Sequence, residues 1–271
     1  MRIGFLGAGR MGLPMVARLV GRGHDVRVLV RSPERHTDAA DTGAVVTTRD
    51  TEVAEGAQAV VVCVYSDEQV RQLCLDTDIL AATPPGAVLV VHTTGSPRTV
   101  AAVAERAAGY GIDVVDAPVS GGPHDIAEGR LTLFVGGSAE AVARARPVLS
   151  CYGDPIVHVG ELGLGQRVKL LNNAAFAAQI GVLTEIVRLA GELGVDEPTL
   201  LGALPHGSAT SRALLGAAAR GSVAEFRAAV ADFLAKDVAV VRAISTDFGA
   251  RLGSLDDLFA GAASRTEQES R

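Results

Sequence analysis

The sequence predicts an α/β protein in two parts: a doubly wound parallel sheet, then an all-α half reached through one long helix. Three observations carry this. Apolar β-type runs alternate with helical stretches as far as residue 159. Those runs are apolar at nearly every position, the mark of strands buried on both faces. Beyond Gly163 the turn signals thin out and apolar residues recur at helical spacing.

Residues 1–6 make a short apolar strand, 10–23 a helix with Met11, Met15, Leu19 and Val20 on its apolar face, and 25–30 a second strand. Between the first strand and the helix stands GAGRMG, with Gly7, Gly9 and Gly12 spelling G-x-G-x-x-G. Three glycines prove little in an Ala/Gly-rich chain. Strand, glycine loop, helix and strand within about 30 residues is the setting that gives the spacing meaning. Gly7 permits the tight turn, Gly9 lets backbone approach a pyrophosphate, and Gly12 lets the helix close on the strand. Ala8, Arg10 and Met11 complete the loop, whose amide groups face the anion at the helix start. This is the Rossmann arrangement, and its expected ligand is a dinucleotide; a glycine turn that merely joins strand to helix is the other reading.

The end of the second strand reads VLVRSPER. An NAD site usually places an acid there for the ribose hydroxyls, and that charge would repel a 2′-phosphate. Here Arg31 follows the strand, then Ser32, with Arg35 one turn into the next helix. Arg31 and Ser32 suit a phosphate, so NADP(H) is expected over NAD(H). The other reading of Arg31 is an ordinary solvated arginine.

Further strands are expected at 57–64, 87–91, 112–115, 131–135 and 155–159, with helices near 67–75, 97–110 and 138–149. Val64, ending the first of these runs, belongs with the cofactor-facing residues. A boundary at Gly163 divides a dinucleotide-binding domain, 1–162, from an all-α domain, 163–271, for substrate and oligomerisation. A long linking helix covers about 165–194, with Val168, Leu171, Ala175, Ala178, Val182, Ile186, Leu189 and Leu193 at helical spacing. At about 1.5 Å per residue it outreaches a small domain, so it bridges two domains or a partner subunit. Asp196 and Pro198 start another helix, and 209–219, 223–247 and 253–263 follow before the polar tail SRTEQESR.

Composition narrows the function. Apolar residues at 48% and charged residues at 21% of 271 describe a folded globular chain. A net charge of −6 argues against a nucleic-acid surface. No stretch approaches the roughly 20 apolar residues of a membrane helix, and glycines and Arg10 interrupt any apolar leader. Cys63, Cys74 and Cys151, odd in number and in apolar settings, read as reduced core thiols. The expected compartment is the cytoplasm, and no metal site is expected.

Three clusters stand where chemistry could occur. In DAPVSGGPHDIAEG, Ser120, Gly121 and Gly122 follow an apolar strand, and a hydroxyl beside glycine amides suits a carboxylate. A tight turn capped by Ser120 fits the spacing equally, and His124 beside it reads as solvated. Lys169 and Asn173, four apart, share one face of the long helix. The ammonium can give a proton to a carbonyl as hydride arrives, and the amide can orient it. A surface row of Lys169 with Arg167 is the alternative. The third cluster is AKDV, where Lys236 could approach a cofactor or form a surface ion pair with Asp237.

Four blocks in order, GFLGAGRMGLPM, DAPVSGGPHDIAEG, GLGQRVKLLNN and AKDV, resemble the β-hydroxyacid dehydrogenase family over about residues 1–250. Its members include 3-hydroxyisobutyrate dehydrogenases, tartronate semialdehyde reductases and glyoxylate/succinic semialdehyde reductases, and its folds are 6-phosphogluconate dehydrogenase-like. The resemblance implies an N-terminal Rossmann domain, a linking helix, an all-α C-terminal domain, and assembly as dimers or tetramers. It makes Lys169 the general acid/base, Asn173 its partner, Ser120, Gly121 and Gly122 the substrate-carboxylate site, and Lys236 a cofactor-side residue. Thr94 in VVHTTGSP matches the family's nicotinamide-side threonine, with Thr93 in the serine position.

The chain departs from the family pattern at Val91, where an acid is common, at Ala229, where an aromatic residue is common, and in a shortened stretch between 207–211 and Lys236. The expected activity is NADP-dependent interconversion of a small β-hydroxyacid with its semialdehyde or keto acid. An imine reductase shares fold and cofactor, but such enzymes typically replace the lysine by Asp or Tyr. A noncatalytic NADP-binding module would most simply have lost it.

Overall fold

A computed structural model describes residues 1–31 and 34–263; the side chains at 34–35, 232–233 and 261–263 lie outside that description. The chain divides into two compact units, Met1–Lys169 and Leu170–Arg271. The division falls within the long helix rather than ahead of it.

The first unit begins β1 (Arg2–Leu6), α1 (Gly12–Gly21), β2 (Asp25–Leu29), α2 (Glu34–Asp41), β3 (Val45–Thr47), α3 (Asp50–Ala54) and β4 (Ala59–Val62). It continues through α4 (Asp67–Leu75), α5 (Ile79–Ala82), β5 (Val88–Val91), α6 (Pro97–Ala108), β6 (Asp113–Asp116), β7 (Val119–Ser120), α7 (Pro123–Glu128), β8 (Leu131–Gly136), α8 (Ala139–Leu149) and β9 (Gly153–Gly160). Strands β3-β2-β1-β4-β5-β6 lie side by side and parallel. The order reverses at β1, so the carboxyl ends of β1 and β4 open a crevice between oppositely wound halves.

Beyond β6 the sheet departs from the parallel expectation. Strand β8 runs antiparallel to β6 and β7 and parallel to β9. Strands β3 and β7 escape the sequence reading because three and two residues carry no periodicity.

Alternation along the strands sorts the core into two layers. Phe5, Val28, Val61 and Val90 pack on one face with Met15, Leu19 and Ile126. Leu6, Val60, Val62 and Leu89 pack on the other with Val70, Ile79 and Val103. Both faces are covered, which is why the runs read as continuously apolar.

Helix α9 (Leu164–Glu192) runs out of the first unit. The second unit continues with α10 (Glu197–Ala203), a 3₁₀ turn (Leu204–His206), α11 (Arg212–Arg220), α12 (Val223–Asp247) and α13 (Leu255–Ala263). Side-chain caps from Asp196, Ser211 and Ser222 set the starts of α10, α11 and α12. Leu170, Ala174, Ala177, Ile180 and Leu183 of α9 are buried with Leu214, Phe226, Val230, Leu234 and Phe259. A Cβ on Gly181 would strike the Leu258 carbonyl, so α9 and α13 touch backbone to backbone.

The buried stripe of α9 lies beside the one chosen from sequence. Leu171 (70% exposed), Val182 (44%), Leu189 (42%) and Leu193 (72%) face outward. The helix is apolar on more than one face, so spacing alone could not select the inner one. By length and mean hydropathy α9 is also the one helix, among the described residues, capable of crossing a membrane. That corrects the expectation that no stretch approaches this limit. Its buried Asn173 and its packing against α11 and α12 make it a core helix of the second unit.

Candidate active site

The glycine loop closes β1 onto α1. Gly7 has φ +101°, where a Cβ would meet the Cys63 carbonyl, and a Cβ on Gly12 would meet the Gly7 carbonyl and the Phe5 ring. Glycine is required at both places, at the first by backbone conformation and at the second by space. Helix α1 starts with no side-chain cap from Met11 and no acid in its first turn. Its first amides and positive dipole end therefore suit an anion. Arg10 is exposed, and Ala8 and Gly9 are half-buried.

Beside this loop lies a cavity of about 370 Å³ lined by Leu6, Gly7, Ala8, Leu29, Val30, Arg31, Val64, Gln69, Gln72 and Leu73. It sits at the carboxyl ends of β1, β2 and β4, and its apolar walls with two amide side chains suit an adenosine. Arg31 stands at its rim, 3.4 Å from Asp50 at the start of α3. Ser32 and the Arg35 side chain, expected to bind phosphate, lie outside the described residues. These features fit a dinucleotide: a tight glycine turn, an uncapped helix start and an apolar crevice at the switch point.

Next to the cavity, the ends of β4 and β5 are stitched together. The Thr93 hydroxyl accepts from the Val64 amide and donates to the Val64 carbonyl, both at 3.0 Å. Thr94 follows half-buried. Beyond it, Asp67 in α4 accepts from the Ser96 amide (2.9 Å) and the Thr99 hydroxyl (2.6 Å). His92, one residue before the threonines, is buried between the Ala117 carbonyl (2.6 Å from Nδ1) and the Tyr152 hydroxyl (2.8 Å from Nε2). Burial lowers its pKa to about 4, so it stands neutral, with Nδ1 donating and Nε2 accepting.

Ser120 pairs with Thr132 at the sheet edge, and Gly121 takes φ +132° beside Asp125. The Gly122 amide donates to Asp125 Oδ2 at 2.7 Å. That amide, expected to serve a substrate carboxylate, already serves a side chain of α7. The Ser120 hydroxyl and the Gly121 amide belong to the same turn. His124 is exposed and pairs with Glu128 at 2.9 Å.

The start of α9 is tied to both preceding loops. Asp116, fully buried at the end of β6, accepts from the Gly163 amide (2.7 Å) and the Gln166 amide (2.6 Å). Burial raises its pKa, and these two backbone donors oppose the rise. One turn along α9, Lys169 is 9% exposed.

In the second unit, the Asn173 side chain donates to Asp237 Oδ2 at 2.8 Å. Lys236 precedes that acid on α12 and is half-buried. Ala229 lies exposed on the same helix.

Residues 2–160 match the family profile described as the NAD binding domain of 6-phosphogluconate dehydrogenase. Residues 163–268 match the one described as NAD-binding of NADP-dependent 3-hydroxyisobutyrate dehydrogenase. Together they span nearly the whole chain. The protein belongs to the β-hydroxyacid dehydrogenase family.

As a member it is an NAD(P)-dependent oxidoreductase acting on a CH–OH group. The dehydrogenase is 37% identical over 213 residues to a 3-hydroxyisobutyrate dehydrogenase of Pseudomonas aeruginosa, covering 78% of this chain and 72% of that one. It is 35% identical over 202 residues to an NAD-dependent L-serine dehydrogenase of the same species, covering 73% and 67%. A solved 3-hydroxyisobutyrate dehydrogenase of Mycobacterium tuberculosis, in complex with L-serine, superposes with TM-score 0.85 at 31% identity, covering 97% of this chain and 91% of that one.

Several polar residues of this dehydrogenase escape the sequence reading. Asp116 reads as the first letter of the serine-glycine block, yet it holds the start of α9. Gln166 reads as an unremarked position between Gly165 and Lys169, yet it is fully buried and bonded on both sides of Thr94. Asp237 reads as a surface partner of Lys236, yet it accepts from Asn173.

Proposed function

We propose that this dehydrogenase is NADP-dependent and interconverts a small β-hydroxyacid with its semialdehyde or keto acid, with Lys169 as general acid/base. The observation that carries the reading is the N-terminal part of α9. A buried lysine stands there in a segment tied through Gln166 and Asp116 to the loop bearing Thr94 and to the end of the strand that leads to Ser120. Lysine is almost never this buried unless its nitrogen is paired, which sets the position apart from a solvated surface lysine.

Gly7, Ala8, Gly9, Arg10, Met11 and Gly12 hold the pyrophosphate, Val64 and Thr94 flank the cofactor further along, and Lys236 is a cofactor-side cation. The dinucleotide, when bound, supplies or accepts the hydride. In reduction the Lys169 ammonium gives its proton to the carbonyl oxygen, and in oxidation neutral Lys169 takes the hydroxyl proton. Asn173, its own amide fixed by Asp237, orients lysine or substrate. Ser120, Gly121 and Gly122 receive the substrate carboxylate, with Asp125 turning aside to release the Gly122 amide.

Arg31 supports NADP. Its ion pair with Asp50 is exposed and long, worth at most about 1 kcal/mol, and a phosphate forms stronger charge-assisted bonds to guanidinium. The names of the relatives, 3-hydroxyisobutyrate and L-serine dehydrogenases, both describe 3-hydroxy carboxylates and support that substrate class. The outward Leu171, Val182, Leu189 and Leu193 support a homodimer or homotetramer built through α9. A monomeric mass in solution would remove that part.

Initial rates with 3-hydroxyisobutyrate, L-serine, small semialdehydes, glyoxylate and cyclic imines, each with NADP(H) and NAD(H), test the whole. One acid or semialdehyde turned over preferentially with the NADP form is the expected result. Turnover of cyclic imines alone would replace it with imine reduction.

A further inference from the structure

Gln166 has no assigned role, yet its geometry is the most constrained at the site. It is fully buried. Its Oε1 accepts from the Gly95 amide at 3.0 Å, and its Nε2 donates to the Thr93 carbonyl at 2.8 Å. Those two groups belong to the peptide units on either side of Thr94. Its own backbone amide donates to Asp116 Oδ2 at 2.6 Å, and Asp116 Oδ1 accepts from Gly163 at 2.7 Å. Lys169 lies three residues further on the same helix, on the neighbouring face.

We infer that Gln166 is a positioning residue: its carboxamide clamps the Thr94 loop from both flanks and holds it in fixed register with Lys169. The inference rests on the reading of Lys169 as acid/base and Thr94 as a cofactor-side residue.

The chemistry of the clamp explains the residue type. One flank offers a donor and the other an acceptor, so the clamp needs one acceptor and one donor at the end of a side chain of this length. An amide has both. A carboxylate accepts from Gly95 but turns a lone pair on the Thr93 carbonyl, whereas a protonated carboxyl regains the donor.

The loop has little freedom to compensate. Thr93 is fixed to both polar groups of Val64, and Asp67 holds Ser96 and Thr99. A Cβ on Gly95 would strike the Asp67 carboxylate, so the chain passes that acid at the closest distance available to it. Without Gln166, Thr94 is the point where the loop is left to shift relative to α9. A misplacement of about 1 Å at a reacting centre costs up to about 100-fold in rate.

The test compares full-length wild type, Gln166→Leu, Gln166→Glu and Lys169→Ala, with 3-hydroxyisobutyrate and L-serine as substrates and NADP and NAD as cofactors. Gln166→Leu is expected to lower kcat by about 10- to 100-fold while the KM for dinucleotide moves less than about threefold. Its Gly95 amide is expected to exchange faster with solvent, read by NMR. Gln166→Glu is expected to match the leucine variant at about pH 9 and to recover toward wild type, in the ratio of the two rates, by about pH 6 as the buried carboxyl takes up its proton. Charged groups stand on the elements tied to that side chain, Asp116 of β6, Asp67 of α4, and Arg167 and Lys169 on its own helix, while His92 of the adjoining strand end is neutral.

A leucine variant with wild-type kcat and unchanged Gly95 exchange would overturn the clamp. So would a glutamate variant whose rate ratio to wild type is flat with pH. Should the leucine variant fail to fold, the glutamate variant decides alone. Lys169→Ala separates the two claims: turnover retained there removes the acid/base reading, while Gly95 exchange still judges the clamp. If wild type turns over neither acid, exchange of Gly95 in the leucine variant is the deciding measurement.

Discussion

Between pH 6.5 and pH 4 the dehydrogenase should lose about 3 kcal/mol of stability through one side chain, His92. The imidazole is 2% exposed, donates from Nδ1 to the Ala117 carbonyl and accepts at Nε2 from Tyr152. Burial holds its pKa at about 4 in the folded state, against 6.5 for an ordinary histidine. The unfolded chain therefore binds the proton first, and stability falls as pH drops. The contribution is complete above pH 6.5 and is lost progressively down to the folded value near 4. At about 1.4 kcal/mol per pH unit the gap is worth about 3 kcal/mol, a large share of a domain's usual 5–15 kcal/mol. Asp116 acts in the opposite sense at pH above the ordinary carboxylate value of 3.8, because burial raises its pKa and its protonation favours the fold. Urea unfolding followed by far-UV circular dichroism suits a chain with no tryptophan. Wild type and His92→Gln, compared from pH 7.5 to 4, isolate the histidine: the variant should be weaker at neutral pH and flatter with pH by about 3 kcal/mol. An unchanged pH slope in the variant would refute the neutral, buried imidazole.

Other perturbations act on the cofactor side. Arg31→Ala should lower kcat/KM with NADP by about 10-fold or more while NAD changes less than about twofold, since a charge-assisted phosphate contact is worth about 1.5–3 kcal/mol. Asp50→Asn, which releases Arg31 from its ion pair, should move the ratio the other way by a few-fold; steady-state rates with both dinucleotides read each shift, and equal loss with NAD and NADP in Arg31→Ala would assign Arg31 to general packing. Gly12→Ala should abolish NADPH binding, measured by nicotinamide fluorescence, because the new methyl meets the Gly7 carbonyl and Phe5. Unaltered affinity would mean that α1 can slide away from β1.

Where the sequence spoke clearly, it did so through local patterns. Strands β1, β4 and β5 are apolar at almost every position because helices cover both faces, and the glycine loop falls between a strand and a helix in a window short enough to read. Asp196 and Pro198 marked the start of α10. The illegible features are those made by distant partners. Asp116 meets Gly163 and Gln166, which lie 47 and 50 residues away, and Gln166 meets Thr93 and Gly95 across 73 and 71. No spacing rule links such positions. Helix α9 failed differently: with apolar residues on several faces, periodicity named Leu171 where the core takes Leu170. A polar residue in the first turn of a buried helix, as at Gln166, is the signal that could have been used, since burying it demands partners.

The central claim is that Lys169 moves the proton. Rates of hydroxyacid oxidation and carbonyl reduction with the preferred dinucleotide, for wild type and Lys169→Ala, test it most directly when NADPH affinity is measured alongside. Loss of turnover by about 100-fold or more with affinity changed less than about threefold is the predicted result. Equal turnover in the variant would contradict the account.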